Sequence, residues 1–249
     1  MNYKLPLLVF MSFSLVLASC KKDDETPEPA PAGPGGSNNS TANTTPSFPG
    51  SDGSLWAVKT TTVQSTPIGP FTIELGTGVA VFTSDSYSTY LPAGAVTLNS
   101  TGLTQNSNNT YVLTPSQTNP TGVDFSSGVN WSVSGGASVP GFNYDVSSLP
   151  FPSVASIISA ATVNRSAGYT LSTTSVINAD SVIFAIGGVN KTLAGNNGSC
   201  NFTADDLASL SAGASVAQIV GYSYTSQTIG SKLYYFGKES VQTLSVTIQ

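Results

Sequence analysis

Asp180-Ser181-Val182-Ile183-Phe184-Ala185-Ile186-Gly187-Gly188 is the stretch on which the fold turns. Val182 to Ile186 run without a polar break and stop at a glycine pair, the pattern of a central strand buried on both faces. The glycines supply the backbone freedom of a tight turn into a second strand over 189–193. On either side the apolar residues keep a period of two. Val129, Trp131 and Val133 alternate with Asn130, Ser132 and Ser134, and Leu244, Val246 and Ile248 alternate with Ser245, Thr247 and Gln249. Each is a half-buried strand. Further strands are expected at 55–63, 79–83, 95–99, 110–114, 142–146, 169–172, 215–224 and 232–237, with 241–248 closing the chain. Clusters of Gly, Pro, Asn and Ser separate them. Thr203-Ala204-Asp205-Asp206 breaks the pattern: Thr203 fits a helix N-cap and Asp206 the first turn, so a short helical segment carrying Leu207 and Leu210 is predicted.

This second-half order, over about 152–249, resembles immunoglobulin-like and fibronectin type III-like modules, without the cysteine pair of antibody domains. The resemblance is topological and implies a β-sandwich. Leu149-Pro150-Phe151-Pro152 marks a boundary, because alternate prolines break sheet pairing and leave about 100 residues on each side. The expected class is therefore all-β, with two β-sandwich (immunoglobulin-like) modules, 51–150 and 151–249, after a disordered N-terminal tether.

The tether is read from composition. Residues 26–50 hold Pro27, Pro29, Pro31, Pro34, Pro46 and Pro49 among Gly, Ser, Asn and Thr, with almost nothing apolar to offset the entropy of ordering. As a coil the stretch after Cys20 spans on the order of 30 Å, and about 100 Å when drawn out. Ahead of it, a basic start at Met1-Asn2-Tyr3-Lys4 and an apolar run from Leu5 to Leu17 form a secretion signal, the run being shorter than the roughly 20 residues of a spanning helix. Leu17-Ala18-Ser19-Cys20 resembles the lipobox of bacterial lipoproteins. Lys21-Lys22-Asp23-Asp24-Glu25 resembles the tract behind the lipidated cysteine in surface-exported lipoproteins of the Bacteroidota. These resemblances imply a signal peptide at 1–19, a lipid on Cys20, a tether at 20–50 and a place in the outer membrane facing outward. Several acyl chains, at about 0.8 kcal/mol per buried methylene, hold such a protein on the bilayer.

Composition narrows the chemistry. Only 8% of the residues are charged and the net charge is −5. No basic cluster follows Lys22, so the phosphate-neutralising surface needed for nucleic acid is missing. The chain has no histidine and two cysteines, Cys20 and Cys200. That removes Ser-His-Asp and Cys-His nucleophile systems and the usual zinc sites. No cofactor or metal is implied, and Cys200 reads as a small, partly buried apolar residue, with a reactive thiol as the alternative. Carboxylate chemistry survives, as in glycosidases, which need two acids about 5 to 9 Å apart. Asp52, Glu74, Asp85, Asp124, Asp145, Asp180, Asp205, Asp206 and Glu239 supply no recognisable pair; Asp205 and Asp206 suit a helix start. Lys59, Lys191, Lys232 and Lys238 form no Ser-x-x-Lys motif.

Aromatic residues are the candidates for binding. Tyr87 and Tyr90, in the polar stretch 83–92, could offer flat faces to a sugar ring. Tyr222 with Tyr224, and Tyr234 with Phe236, each share a strand face and suit a core or its rim, as Trp131 does. Trp56 fits either role. The expected function is a lipid-anchored, non-catalytic binding or structural component of the cell envelope, capturing glycan or assembling with another envelope protein. The alternative is a carboxylate-dependent polysaccharide hydrolase or an accessory to one.

Overall fold

The computed structural model describes residues 48–66, 69–84 and 87–249. Cys20, the signal peptide expected at 1–19 and nearly all of the expected tether lie outside the described residues. The rest is all-β and sandwich-like. In chain order the strands are β1 (Gly53–Thr66), β2 (Gly69–Phe82), β3 (Val96–Leu98), β4 (Thr101–Gly102), β5 (Thr104–Gln105), β6 (Tyr111–Leu113), β7 (Asn130–Val133) and β8 (Phe142–Asp145). The second half adds β9 (Ser153–Val154), β10 (Thr162–Val163), β11 (Tyr169–Ser172), β12 (Val176–Ile177), β13 (Ser181–Ile186), β14 (Val189–Ala194) and β15 (Ser199–Phe202). The single turn of helix α1 (Ala204–Leu207) and the long strands β16 (Gly213–Ile229) and β17 (Lys232–Ile248) follow.

One large sheet organises everything, in the order β14-β13-β16-β17-β1-β2-β6-β5, with β10 continuing the line of β1 beside the end of β17. The β1–β17 contact is parallel, and the other pairings along that order are antiparallel. The predicted central strand is β13, flanked by β14 and β16, with Val182, Phe184 and Ile186 fully buried on one side and Ile183 on the other. Gly187 and Gly188 turn it at positive φ, as the two-residue loop requires.

Cross-strand register sorts the sheet residues into two faces. The inner face carries Leu55 and Ala57 of β1, Ala80 and Phe82 of β2, and Tyr234, Phe236, Val246 and Ile248 of β17. The four-stranded sheet β4-β3-β7-β8 covers the first part of that face, and Val96, Leu98, Trp131 and Val133 complete the first core. The pairs β11-β15 and β12-β9, with α1, cover the second part through Val154, Leu171, Phe202 and Leu207. Both cores thus rest on one sheet.

The expected strands at 232–237 and 241–248 are one strand. The polar Lys238-Glu239-Ser240 looked like an interruption, yet Lys238 is 2% exposed: its ammonium donates to the Leu149 carbonyl at 2.5 Å and sits 5.1 Å from the centre of the Phe151 ring. Its stem is apolar, so the row continues through it. The expected strand at 79–83 is likewise only the end of β2, whose first half was hidden behind Pro67, Gly69 and Pro70. The predicted helix start is a full capping box, with Asp206 N–H donating to Thr203 Oγ1 at 3.2 Å and Thr203 N–H to Asp206 Oδ2 at 2.7 Å.

Candidate functional site

The outer face of the large sheet, opposite both cores, gathers aromatic rings near the point where the chain enters. Trp56 stands opposite Gly237 in the β1–β17 register, and Gly237 opposite Tyr224 in β16–β17. Any Cβ at position 237 would collide with the six-membered ring of Trp56, so the glycine is what lets the indole lie flat across the strand. One row on, Glu239 stands between Val58 and Tyr222. One row back, Tyr235 faces Ser54.

Phe48 settles onto this surface, with ring centroids 5.8 Å from Trp56, 5.3 Å from Tyr224 and 4.9 Å from Tyr235. Trp56 meets Tyr222 edge-on at 6.2 Å, and Tyr224 lies 6.0 Å from Tyr235. Such pairs contribute about 0.5–1.5 kcal/mol each beyond their area. Tyr222 is buried, while Phe48, Trp56, Tyr224 and Tyr235 are half-buried, leaving ring surface open to solvent.

Tyr87 and Tyr90 belong to the rim of the same surface. Tyr87, at φ 73°, is held by its N–H on Thr83 Oγ1 at 3.0 Å and by its hydroxyl against Ser51 Oγ at 2.7 Å. Burial pushes its phenol above the ordinary value, Tyr235 and Tyr90 adding to the rise and Ser51 and Ser54 opposing it. Tyr90 forms a bridge with Thr83, and its carbonyl accepts from Asn109 Nδ2 at 3.0 Å. Both side chains are half-buried, so Tyr87 is anchored through its polar end. The residues that sequence reasoning missed are Phe48 and Tyr235. Phe48 had a signal, being an aromatic residue between Pro46 and Pro49 in an otherwise polar tether; Tyr235 had none, because its partners come from β1 and β16.

The acids have local employment. Asp52 accepts from Lys232 Nζ at 2.8 Å and Leu233 N–H at 2.9 Å, Asp180 from Tyr224 N–H at 3.0 Å, and Glu74 meets Lys59 at 3.5 Å. Asp124 and Asp145 accept from Ser126 and Ser147, which hold both carboxyls below the usual range. Asp206 is lowered mainly by Lys191, 2.6 Å away. Asp205 is exposed, and Asp85 lies outside the described residues. Glu239 differs: burial pushes its carboxyl up to about 7. Cys200 is 5% exposed in the second core, and burial raises its thiol to about 11. Trp131, 1% exposed, and Tyr234 and Phe236 are core residues. Among the described residues no group of three or more acids or cysteines could hold a metal, and no helix is long and apolar enough to cross a membrane.

A second, polar feature lies on the four-stranded sheet, where Thr97, Asn130, Ser132, Asn143 and Asp145 line a shallow depression of ≈ 390 Å³. Compared with protein-family models, curated proteins and solved structures, the chain shows no significant match.

Proposed function

We propose that this protein is a lipid-anchored lipoprotein of the bacterial outer membrane, displayed outward, whose β body is a non-catalytic binding component that captures glycan on its aromatic surface. The observation that carries the reading is the half-buried set Trp56, Tyr224 and Tyr235, with Tyr87 and Tyr90 at its rim, on the outer face of the large sheet. Flat ring faces with hydroxyls at their edges match the alternating C–H faces and hydroxyls of sugars. Rings already held half-buried on a sheet also cost little entropy to order on binding. The Cys20 sequence, and the tether between it and Phe48, support attachment to the bilayer.

Glycan arrays on the purified protein test the binding reading: retention that falls with Trp56→Ala or Tyr235→Ala supports it, and the absence of any bound sugar overturns it. Membrane partition of Cys20→Ser tests the anchor, and protease digestion of unbroken cells tests outward display. The polysaccharide hydrolase alternative would rest on Glu239, which stands beside this surface between Val58 and Tyr222 and whose carboxyl burial raises to about 7, in the direction a general acid needs. Release of reducing ends from a glycan that the protein retains, lost in Glu239→Gln, is the result that reading requires.

A further inference from the structure

The β1–β2 hairpin outruns the sheet that supports it. β17 pairs with β1 only as far as Thr62, and β6 pairs with β2 only over Gly78–Ala80. From Val63 to Thr72 the two strands pair with each other and, among the described residues, with no other strand. On β2 the edge that has no partner strand among the described residues runs from Phe71 to Leu75, until Gly76 N–H donates to the Thr121 carbonyl at 2.8 Å and Val123 N–H to the Gly76 carbonyl at 2.9 Å.

Those two bonds fix the parity of the edge. Gly76 points its N–H and C=O away from β1, so Thr72 and Glu74, at the same phase of the pleat, do so too. Phe71, Ile73 and Leu75 turn their backbone groups to β1 and their side chains to the outer face, where Phe71 is 60% exposed. The stretch from Thr60 to Ile73 contains no charge. Glu74 is the one charge before Gly76, and its own Lys59 lies beside it. Sheet edges are ordinarily blunted by lysine, bulges or a covering loop.

We propose that this edge is a dimer interface, pairing antiparallel with the same edge of a second copy about a twofold axis through Ile73. The register follows from the residues. Centred on Ile73, Thr72 and Glu74 of each copy exchange both backbone bonds with Glu74 and Thr72 of the other, and Phe71 lies opposite Leu75. A centre on Glu74 sets two carboxylates face to face and needs Gly76, whose backbone is already used. A centre on Thr72 places Glu74 opposite Pro70, which has no N–H to give. Only the Ile73 centre satisfies the backbone, the charges and the apolar row together.

Sedimentation of the detergent-solubilised full chain tests this, with two variants and a register control. Thr72→Pro removes an N–H that points away from β1, so the hairpin keeps its ladder while the dimer loses a bond on each side. Dissociation should be roughly tenfold to a hundredfold easier. On a Cys200→Ser background, Ile73→Cys should cross-link across the axis under mild oxidation, because non-hydrogen-bonded pairs bring Cβ atoms within disulfide reach. Phe71→Cys, opposite Leu75, should not. A monomer at every concentration, a dimer indifferent to Thr72→Pro, or equal cross-linking of both cysteine variants overturns the proposal.

Discussion

Replacing Glu239 with glutamine should make the protein more stable at pH 8 and flatten its stability between pH 4.5 and 7. In the folded chain the carboxyl is raised from its ordinary 4.5 to about 7 by burial beside Val58 and Tyr222, with no basic residue opposite it in the register. The folded state therefore holds a proton that the unfolded state has released between those two values. Stability contributed by this group is full below pH 4.5, falls as pH rises through the interval, and stays lost above 7. At 1.36 kcal/mol per tenfold the complete effect is about 3 kcal/mol. Glu239 is partly exposed, and solvent screening reduces this to about 1–2 kcal/mol.

Urea unfolding of both proteins at pH 4.5, 6 and 8, followed by tryptophan emission, measures the difference. Asp124, Asp145 and Asp206 work in the opposite sense. Their folded carboxyls are lowered, so their stabilisation is present above 3.8 and is lost only as pH falls through the lowered values. The two windows do not overlap, which isolates Glu239. A glutamine variant that keeps the parent's slope between pH 4.5 and 7 would refute the reasoning, since the slope would then belong to another group.

Gly237→Ala should cost about 1–3 kcal/mol and shift tryptophan emission to the red, because the new methyl pushes the Trp56 ring off the sheet; unchanged emission would count against the packing described. Asn99→Ala should cost about 2–4 kcal/mol in urea unfolding, since Asn99 holds φ 47° at the β3–β4 turn and its side chain donates to Asp124 and Gly128 carbonyls at 2.8 and 2.9 Å and accepts from Asn130 N–H at 2.8 Å. Asn99→Asp should cost at least as much, because the carboxylate oxygen that replaces Nδ2 would face the Asp124 and Gly128 carbonyls, acceptor against acceptor. The two cores should unfold together: in a Trp56→Phe background, exposure of the Cys200 thiol to a labelling reagent should follow the same urea curve as the fluorescence of Trp131, and two separated curves would show independent units.

Local patterns were legible in the chain wherever one physical cause sets the structure. Val182 to Ile186, the Gly187-Gly188 turn, the Thr203 cap and the burial of Trp131 all follow from residues within a few positions of each other. What was hidden depends on distant partners. Lys238-Glu239-Ser240 looked like a break because nothing nearby reveals that Leu149 and Phe151 wait for the ammonium. The first half of β2 was hidden in the sequence by the neighbouring Pro67, Gly69 and Pro70, although Phe71, Ile73 and Leu75 already alternate with Thr72 and Glu74. Tyr87 and Tyr90 were found as aromatic residues in a polar loop. That they stand at the rim of a surface built by Phe48, Trp56, Tyr224 and Tyr235 depends on the parallel β1–β17 pairing, which joins the two ends of the body and leaves no local mark in sequence.

That pairing also explains the row where the cores meet. Strands β16 and β17 are too long to serve one core: their hairpin end carries Tyr234 and Phe236 into the first, and their far end carries Ala217, Ile219, Val246 and Ile248 into the second. Between them, Lys238 faces Ser223 and Ser240 faces Gly221 on the inner side. Three members of this row, Lys238, Ser223 and Gly221, meet the connection between the halves or the chain just beyond it. Lys238 donates to the Leu149 carbonyl and Ser223 Oγ to that of Pro150 at 3.3 Å, while the bare face of Gly221 receives Pro152, Val154 and Ala179. A buried ammonium is costly, and burial lowers the pKa of Lys238. An apolar residue here would leave the Leu149 carbonyl without that donor, so the lysine fixes the path of Leu149-Pro150-Phe151-Pro152 over the sheet at the expense of some stability. The connection that carries the prolines thus crosses strands that both cores share.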